Sequence, residues 1–365
     1  METRYYIIFA VIILTLQVFL VLFHYTLRWL LQDKFSPKTL FRISLCLGIA
    51  TNAFILSNIF FRLYHNFRLN ALILVILYFI ALTGFMAFVL FHIGKIWFRR
   101  DKLNHVLRIL YFPALIGLFG LSLYKAYTPV VHHYQIQLDK PMQPLRIGVA
   151  SDFHLGKYFG GKQMDELADI FRREKVDLIL LPGDIMDDNV DAYLAEKMQS
   201  HLAKLQAPLG VYATLGNHDF FGDEKRIENE VRKTGIHLLM DEAVQVDGKF
   251  TIIGRNDDLV PNRPSAKTLL RGVDTRLPVF LMDHRPTDIW EHSRLPIDIQ
   301  VSGHTHKGQI FPANLLTYMM YPLNYGFKQI NGVNFFVTSG YGFWGVPMRL
   351  ASQSEVLILD VRGTN

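Results

Sequence analysis

Three stretches in the first third of the chain, Tyr5–Phe23, Ile43–Phe61 and Leu69–Gly94, contain no charged residue. Each is long enough, at a rise of about 1.5 Å per residue, to cross a hydrocarbon core of about 30 Å. A fourth, Ile109–Tyr124, is shorter and contains Pro113; Lys125 can snorkel at its end, which lets the span continue toward Tyr127. Buried helices of a soluble bundle carry a polar stripe at helical period, and these stretches have almost none. Residues 1–128 therefore read as four transmembrane helices. The first has no clear small-residue cleavage site and three more spans follow it, which argues against a cleaved signal peptide. No intramembrane carboxylate or buried Arg–Asp pair marks an ion path, so the bundle reads as an anchor rather than a transporter.

The charges divide in the same place. Residues 1–128 hold 13 Lys and Arg against three acids, Glu2, Asp33 and Asp101, which leaves 25 basic and 29 acidic residues for the rest. The formal net charge of +6 thus belongs to the apolar third, and the remainder is mildly acidic. That argues against a nucleic-acid partner, which needs clustered Lys and Arg on the domain that binds it. The first loop carries Arg28, Lys34, Lys38 and Arg42, the third Lys95, Arg99, Arg100, Lys102 and Arg108, the second only Arg62 and Arg68. The positive-inside rule places the first and third loops in the cytoplasm. Four crossings then put both termini and the second part of the chain outside the cytoplasm; if the fourth stretch does not cross, the second part lies inside. The single cysteine, Cys46, excludes an intrachain disulfide and reads as a small hydrophobe buried among helices.

After Pro129 strands alternate with helices, which implies α/β layers. Residues 129–144 read as a connector and a first strand. Leu145–Ala150, Asp177–Leu181, Gly210–Leu215, Pro278–Met282 and Ile297–Val301 read as buried strands. Gly161–Lys175 and Asp191–Gln206 read as helices, and Val244–Val246 with Phe250–Ile253 as a hairpin across Asp247-Gly248. The five strands run into polar clusters: Asp152-Phe153-His154, Gly183-Asp184-Ile185-Met186-Asp187, Gly216-Asn217-His218-Asp219, His284, and Gly303-His304-Thr305-His306. These positions lie just beyond strand carboxyl ends, where open α/β sheets place their ligands. One such cluster is an ordinary polar turn; five are hard to explain by packing. Together they offer enough carboxylate, amide and imidazole donors for two divalent cations. Mixed oxygen and nitrogen donors without a thiolate suit Mn, Fe, Zn or Co. In extended backbone, residues two apart project to one side, so Asp152 with His154, and His304 with His306, are expected to reach a common region. Gly183, Gly216 and Gly303 suit tight turns beside an ion, where a missing Cβ and positive φ both help.

This order of motifs resembles the calcineurin-like metallophosphoesterase superfamily, whose pattern runs D-x-H, GD-x-x-D, GNH-D/E, H, G-H-x-H. The resemblance covers about the last two-thirds of the chain and every element is present. It implies, for residues 145–365, two packed mixed β-sheets flanked by helices, with two metals at the sheet edge and manganese as the metal. By motif position it assigns Asp152, His154 and His306 to one ion, Asn217, His284 and His304 to the other, and Asp184 to the bridge. A bridge needs a carboxylate with two usable oxygens, which suits Asp184 and not the amide Asn217. A hydroxide between the cations would attack phosphorus, and His218, not needed as a ligand, would protonate the leaving oxygen or stabilise the transition state. Asp187 and Asp219 either cap their turns or orient a ligand or the catalytic histidine. Arg285, and Arg255 with Asn256, either contact substrate or pair with Asp257, Asp258 or Asp283. The remaining histidines, His24, His65, His92, His132, His133, His201, His237 and His292, fall outside the motifs and read as surface or interfacial residues.

The expectation is a membrane-anchored hydrolase of a phosphate ester or pyrophosphate, on a phosphorylated small molecule or a lipid-linked substrate. The alternative is a non-catalytic binding or sensor ectodomain of the same fold, which missing ligands would favour; none is missing. Five residues after His306 runs Phe311–Phe327, a segment without charge. It reads either as a short core helix with a loop or as an apolar lip beside the metals that would receive an amphiphilic substrate.

Overall fold

The computed structural model describes residues 3–61 and 67–364; Arg62 and His65 lie outside the described residues. The chain divides into two compact units, Met1–Leu121 and Ser122–Asn365. The first is built from α1 (Thr3–Leu31), α2 (Pro37–Phe60), α3 (Phe67–Gly94) and most of α4 (Arg100–Tyr127). All four helices are long and apolar enough to cross a membrane. Leu14, Ile49, Phe88 and Ile116 are more than half exposed, a surface that is a liability in water and ordinary in lipid. The few polar side chains bond to one another: Gln17 Nε2 donates to Asn52 Oδ1 at 2.8 Å, and Trp29 Nε1 to Asn104 Oδ1 at 2.7 Å, as polar groups in lipid must.

Two expectations need correction here. The fourth span is longer than Ile109–Tyr124, because the helix begins at Arg100; its first turns mix charged residues with Leu103, Val106 and Leu107 and so do not look apolar in sequence. Cys46 is exposed, not buried. At about 100° per residue it lies on the face of α2 opposite Gly48, and Gly48 is the position that meets Leu20 of α1.

Among its described residues the second unit holds twelve strands. They are β1 (Val130–Pro141), β2 (Leu145–Val149), β3 (Leu178–Pro182), β4 (Val211–Thr214), β5 (His237–Leu238) and β6 (Glu242–Val246). Then come β7 (Phe250–Arg255), β8 (Val279–Asp283), β9 (Ile299–Ser302), β10 (Gly326–Ile330), β11 (Val333–Val337) and β12 (Glu355–Thr364). Between them lie α5 (Gly161–Glu174), α6 (Asp191–Ala195), α7 (Gln199–Leu202), α8 (Glu224–Arg232), α9 (Ala266–Leu269), α10 (Ile289–His292) and α11 (Ala313–Met320).

The strands form two mixed six-stranded sheets, ordered β1-β12-β2-β3-β4-β5 and β10-β11-β9-β8-β7-β6. Strands β2 to β5 run parallel, as do β7, β8, β9 and β11. Alternation of side chains explains the layering. Leu178 and Leu180 of β3 join Ile147, Ile252, Phe280, Met282 and Val301 in one core cluster. Their neighbours Ile179 and Leu181 join Met164, Leu167 and Phe171 of α5 and Ile227 of α8 in another. A third cluster sets Ile253, Val279 and Leu281 against Ala266 and Ile289. The expected helix Asp191–Gln206 is two short ones. Lys197, at φ 52°, turns the chain between them so that Tyr193, Met198 and Leu202 all reach the core, and each buried side chain of this kind contributes about 1.5–3 kcal/mol. The parallel strands β2, β3, β4, β8 and β9 each end beside one of the polar clusters.

Candidate metal centre

Five of the seven candidate ligand residues lie on left-handed backbone. Asp152 (φ 56°), His154 (48°), Asp184 (52°), His304 (70°) and His306 (46°) all have positive φ, a region costly for residues with a Cβ and frequent at functional sites. The extended backbone expected for Asp152–His154 and His304–His306 is therefore absent; successive left-handed turns, not pleating, aim both members of each pair at one point. The glycines also divide. Gly183 takes positive φ (91°), whereas Gly216, at φ −100°, is needed for space, since a Cβ there would overlap the Asp184 carboxylate.

These turns bring the predicted side chains into two groups. In the first, Asp152, His154 and His306 each place a donor atom within 4.8 Å of the other two. His154 Nε2 lies 3.1 Å from His306 Nε2, which lies 3.5 Å from Asp152 Oδ1. The second gathers Asp184, His284 and His304 in the same way, and Asn217 Oδ1 lies 2.7 Å from His304 Nδ1. Asp184 faces both groups, but through one oxygen. Its Oδ2 is 3.6 Å from His154 Nε2 and 3.2 Å from His284 Nε2, while Oδ1 accepts the His218 N–H at 2.9 Å.

The donor set fits cations. His284 Nε2 is buried, and its near partner is Asp184 Oδ2 at 3.2 Å, a pairing that either a proton or a cation between the two can satisfy. Burial pulls the His154 imidazole down to about 3 and holds His304 and His306 well below the usual range, so all three present neutral donors. His284 differs: burial opposes its charge, but the Asp184 carboxylate raises it to about 10. A divalent cation between these two residues would take that proton's place. Burial pushes Asp152 up to about 6, partly countered by His284; a cation would reverse that shift.

His218 sits at the His154 end, ring centroids 4.8 Å apart, and its Nδ1 is 2.5 Å from Asp188 Oδ1. Burial lowers its pKa, but the Asp188 hydrogen bond and the charges of Asp184, Asp188 and Asp219 outweigh that and raise it. Phe221 and Trp344 flank the ring at 5.0 and 5.9 Å. Asp219 fixes turns: it accepts the N–H groups of Ile185, Met186 and Gly216. Asp187 lies 3.8 Å from His154 Nδ1. The carboxylate that meets His218 is thus Asp188, which sequence reasoning passed over because only the neighbouring Asp187 fits the motif.

The arginines singled out in the sequence form ion pairs. Arg285 bonds Asp257 through Nε and Nη2 at 2.7 and 2.9 Å. Arg255 Nη1 reaches Asp283 and Asp288, which fills the Asp283–Asp288–His292 cluster with a guanidinium. Asn256 bonds Asp241. His292 is fully buried, not at the surface, with Nδ1 2.8 Å from Gln300 Oε1. Two further neighbours of the site had no sequence signal. Tyr321 lies edge-on to His304 at 5.9 Å, and Arg349, fully buried, brings Nη2 within 3.1 Å of His306 Nδ1.

A model of the calcineurin-like phosphoesterase family matches residues 145–308. An uncharacterized metallophosphoesterase of Helicobacter pylori strain J99 is 30% identical over 280 residues, 73% of each chain. One from Aquifex aeolicus is 30% identical over 266 residues, 70% of this chain and 99% of its own. A transmembrane protein with metallophosphoesterase domain from Danio rerio is 27% identical over 262 residues, 67% of this chain and 59% of its own.

Proposed function

The chain belongs to the calcineurin-like metallophosphoesterases, metal-dependent phosphoric ester hydrolases, and on that premise we propose a membrane-anchored binuclear enzyme that cleaves a phosphate ester or pyrophosphate on an amphiphilic, lipid-linked substrate. The observation that carries the binuclear reading is the single Asp184 oxygen facing both His154 and His284. Asp152, His154 and His306 would hold one cation and Asn217, His284 and His304 the other, with Asp184 serving both. Two divalent cations there, manganese or one of iron, zinc and cobalt, would polarise the phosphoryl oxygens and make water acidic enough to serve as nucleophile near neutral pH.

The chain's own residues do the rest. His218, protonated and held at Nδ1 by Asp188, offers Nε2–H to the leaving oxygen. The Asp188 hydrogen bond and the nearby carboxylates favour that protonated form. Phe221 and Trp344 narrow the access of water to its ring. The backbone N–H of His218 fixes Asp184, so the acid and the bridge share one turn.

The amphiphilic substrate rests on α11. This helix has no buried residue; Leu315 and Leu316 are more than half exposed, and Tyr318, Met319 and Met320 at least 70%. That rules out the core-helix reading and supports the apolar lip. The helix belongs to the site at both ends. Gly308, two residues after His306, packs so closely on Ala313 and Asn314 that a Cβ would overlap them, and Tyr321, just past its end, meets His304. An exposed apolar surface beside a polar reaction centre suits a ligand with a phosphoryl head and an acyl or prenyl tail. With four crossings, the loop charges favour a position outside the cytoplasm for this unit.

The test is a hydrolysis panel on purified, metal-loaded full chain in detergent: monoesters, diesters and pyrophosphates, each in soluble and lipid-linked form, with and without chelator. The reading expects chelator-sensitive turnover, fastest on a lipid-linked member. A chain that holds two ions and cleaves none of the three bond types refutes it.

A further inference from the structure

Among the described residues Arg349 heads the large side chains that are fully buried, and no carboxylate lies within ion-pair distance of it. An unpaired buried charge costs several kcal/mol. Its hydrogen bonds go to neutral oxygens: Nη1 donates to Ser352 Oγ at 2.8 Å, and Nη2 to the carbonyls of Ser339 at 2.7 Å, Gly340 at 3.2 Å and Gly342 at 2.5 Å. The other edge of this segment bonds to the first metal-ligand turn. Tyr341 N–H donates to Ser151 O at 2.8 Å and Gly342 N–H to Asp152 O at 3.0 Å. The packing leaves no slack, since a Cβ on Gly340 would come within 2.8 Å of Asp152 Cβ, and one on Gly342 would overlap Phe153 O. Nη2 also touches the His306 ring. One guanidinium thus grips a strap on one edge while the Asp152 turn grips the other.

We propose that Arg349 is a positioning residue for the metal centre: it clamps Ser339–Gly342 onto the Asp152 turn, so that the cation held by Asp152, His154 and His306 depends on it and the cation at His284 and His304 does not. The proposal rests on the ligand assignment of the preceding section. It opposes the simpler electrostatic view, in which a positive charge near a cation only weakens binding and its removal tightens it.

The experiment counts metal by elemental analysis in detergent-purified full chain after dialysis against graded chelator, with circular dichroism and Tm as controls. Wild type is expected to hold two manganese ions. Arg349→Met and Arg349→Lys are expected to lose one of them at chelator concentrations at least tenfold lower, as for removal of a group that orients a ligand, and to keep the other. Wild-type retention of both ions in either folded variant overturns the proposal, as does tighter retention in Arg349→Met. Placed on His306→Ala, Arg349→Met is expected to cost no further ion, and loss of the remaining one also overturns it. If both Arg349 variants fail to fold, Ser352→Ala decides, because it removes the Nη1 acceptor and, besides that, a long 3.5 Å contact to Gln309 O. It is expected to lower retention of one ion severalfold, and unchanged retention overturns the clamp. A wild-type chain that binds no metal would refute the binuclear reading instead.

Discussion

Replacement of His218 tests the chemistry most directly, because this ring lies beside His154 without being one of the assigned cation donors. His218→Ala is expected to retain both metals and to lose kcat by roughly a hundredfold or more on an alkyl phosphate ester, the contribution typical of a positioned general acid. The expected effect of Asp188→Asn follows from its geometry. The 2.5 Å contact joins a charged pair, and hydrogen bonds to charged groups contribute about 1.5–3 kcal/mol. Asp188 is 52% exposed, so water already screens much of this, and about 1 kcal/mol, roughly a fivefold fall in kcat, is the discounted figure. The pH profile adds a second readout. His218 acts as acid in its protonated form, so kcat falls as pH rises through its raised pKa. Loss of the Asp188 charge lowers that pKa and moves the fall to lower pH. Because variant and wild type carry the same cations, their own effect on His218 cancels in the comparison. The assay is steady-state kcat against pH on an alkyl ester and on p-nitrophenyl phosphate, whose leaving group needs little protonation. Near-wild-type kcat of His218→Ala on the alkyl ester refutes the role of general acid, and a loss of equal size on both esters points to a different role.

Asp184→Asn is expected to lose most of both ions by elemental analysis, since its Oδ2 faces both donor groups; full occupancy would disprove the bridge. Leu316→Ser with Met319→Ser is expected to raise KM for a lipid-linked substrate and leave a soluble diester nearly unchanged. Because neither residue is buried, the variant should fold, and equal damage to both substrates would remove the support for a lipid tail. A cysteine at Lys249, whose side chain is 56% exposed, is expected to react with an impermeant thiol reagent outside intact cells, and one at Lys102 is not. The reverse pattern would place the catalytic unit in the cytoplasm.

The donor groups were legible in the sequence because each is local: a few polar residues with fixed chemistry, placed directly behind an apolar strand. The parallel strands β2, β3, β4, β8 and β9 were found for the same reason, each within a residue or two of its ends. The left-handed turns were not legible, since propensity argues against positive φ at Asp152 or His154 and only the surrounding packing imposes it. Arg349 was invisible because its partners are backbone carbonyls and a histidine 43 positions away, and a carbonyl leaves no trace in residue identity. Asp188 stood beside a motif aspartate and differs from it only in where the turn aims it. The uncharged Phe311–Phe327 segment was ambiguous for a plainer reason: apolar composition alone cannot tell a residue that is covered from one that is not.

The strand that follows the last membrane span has a further consequence. β1 is an edge strand whose one neighbour in the sheet is β12, in parallel register from Val130 opposite Glu355 to Gln137 opposite Arg362. β1 must therefore wait for β12, made more than 200 residues later, before it can pair. β12 also separates β1 from β2, so β1 cannot dock on its sequence neighbour in the meantime. Growth of this sheet during translation halts at the four strands β2 to β5 until β12 has been made, and contacts of such long sequence separation are slow to form. A chain halted before residue 355 would leave an inserted bundle joined to an unpaired strand edge, an aggregation hazard held at the membrane surface.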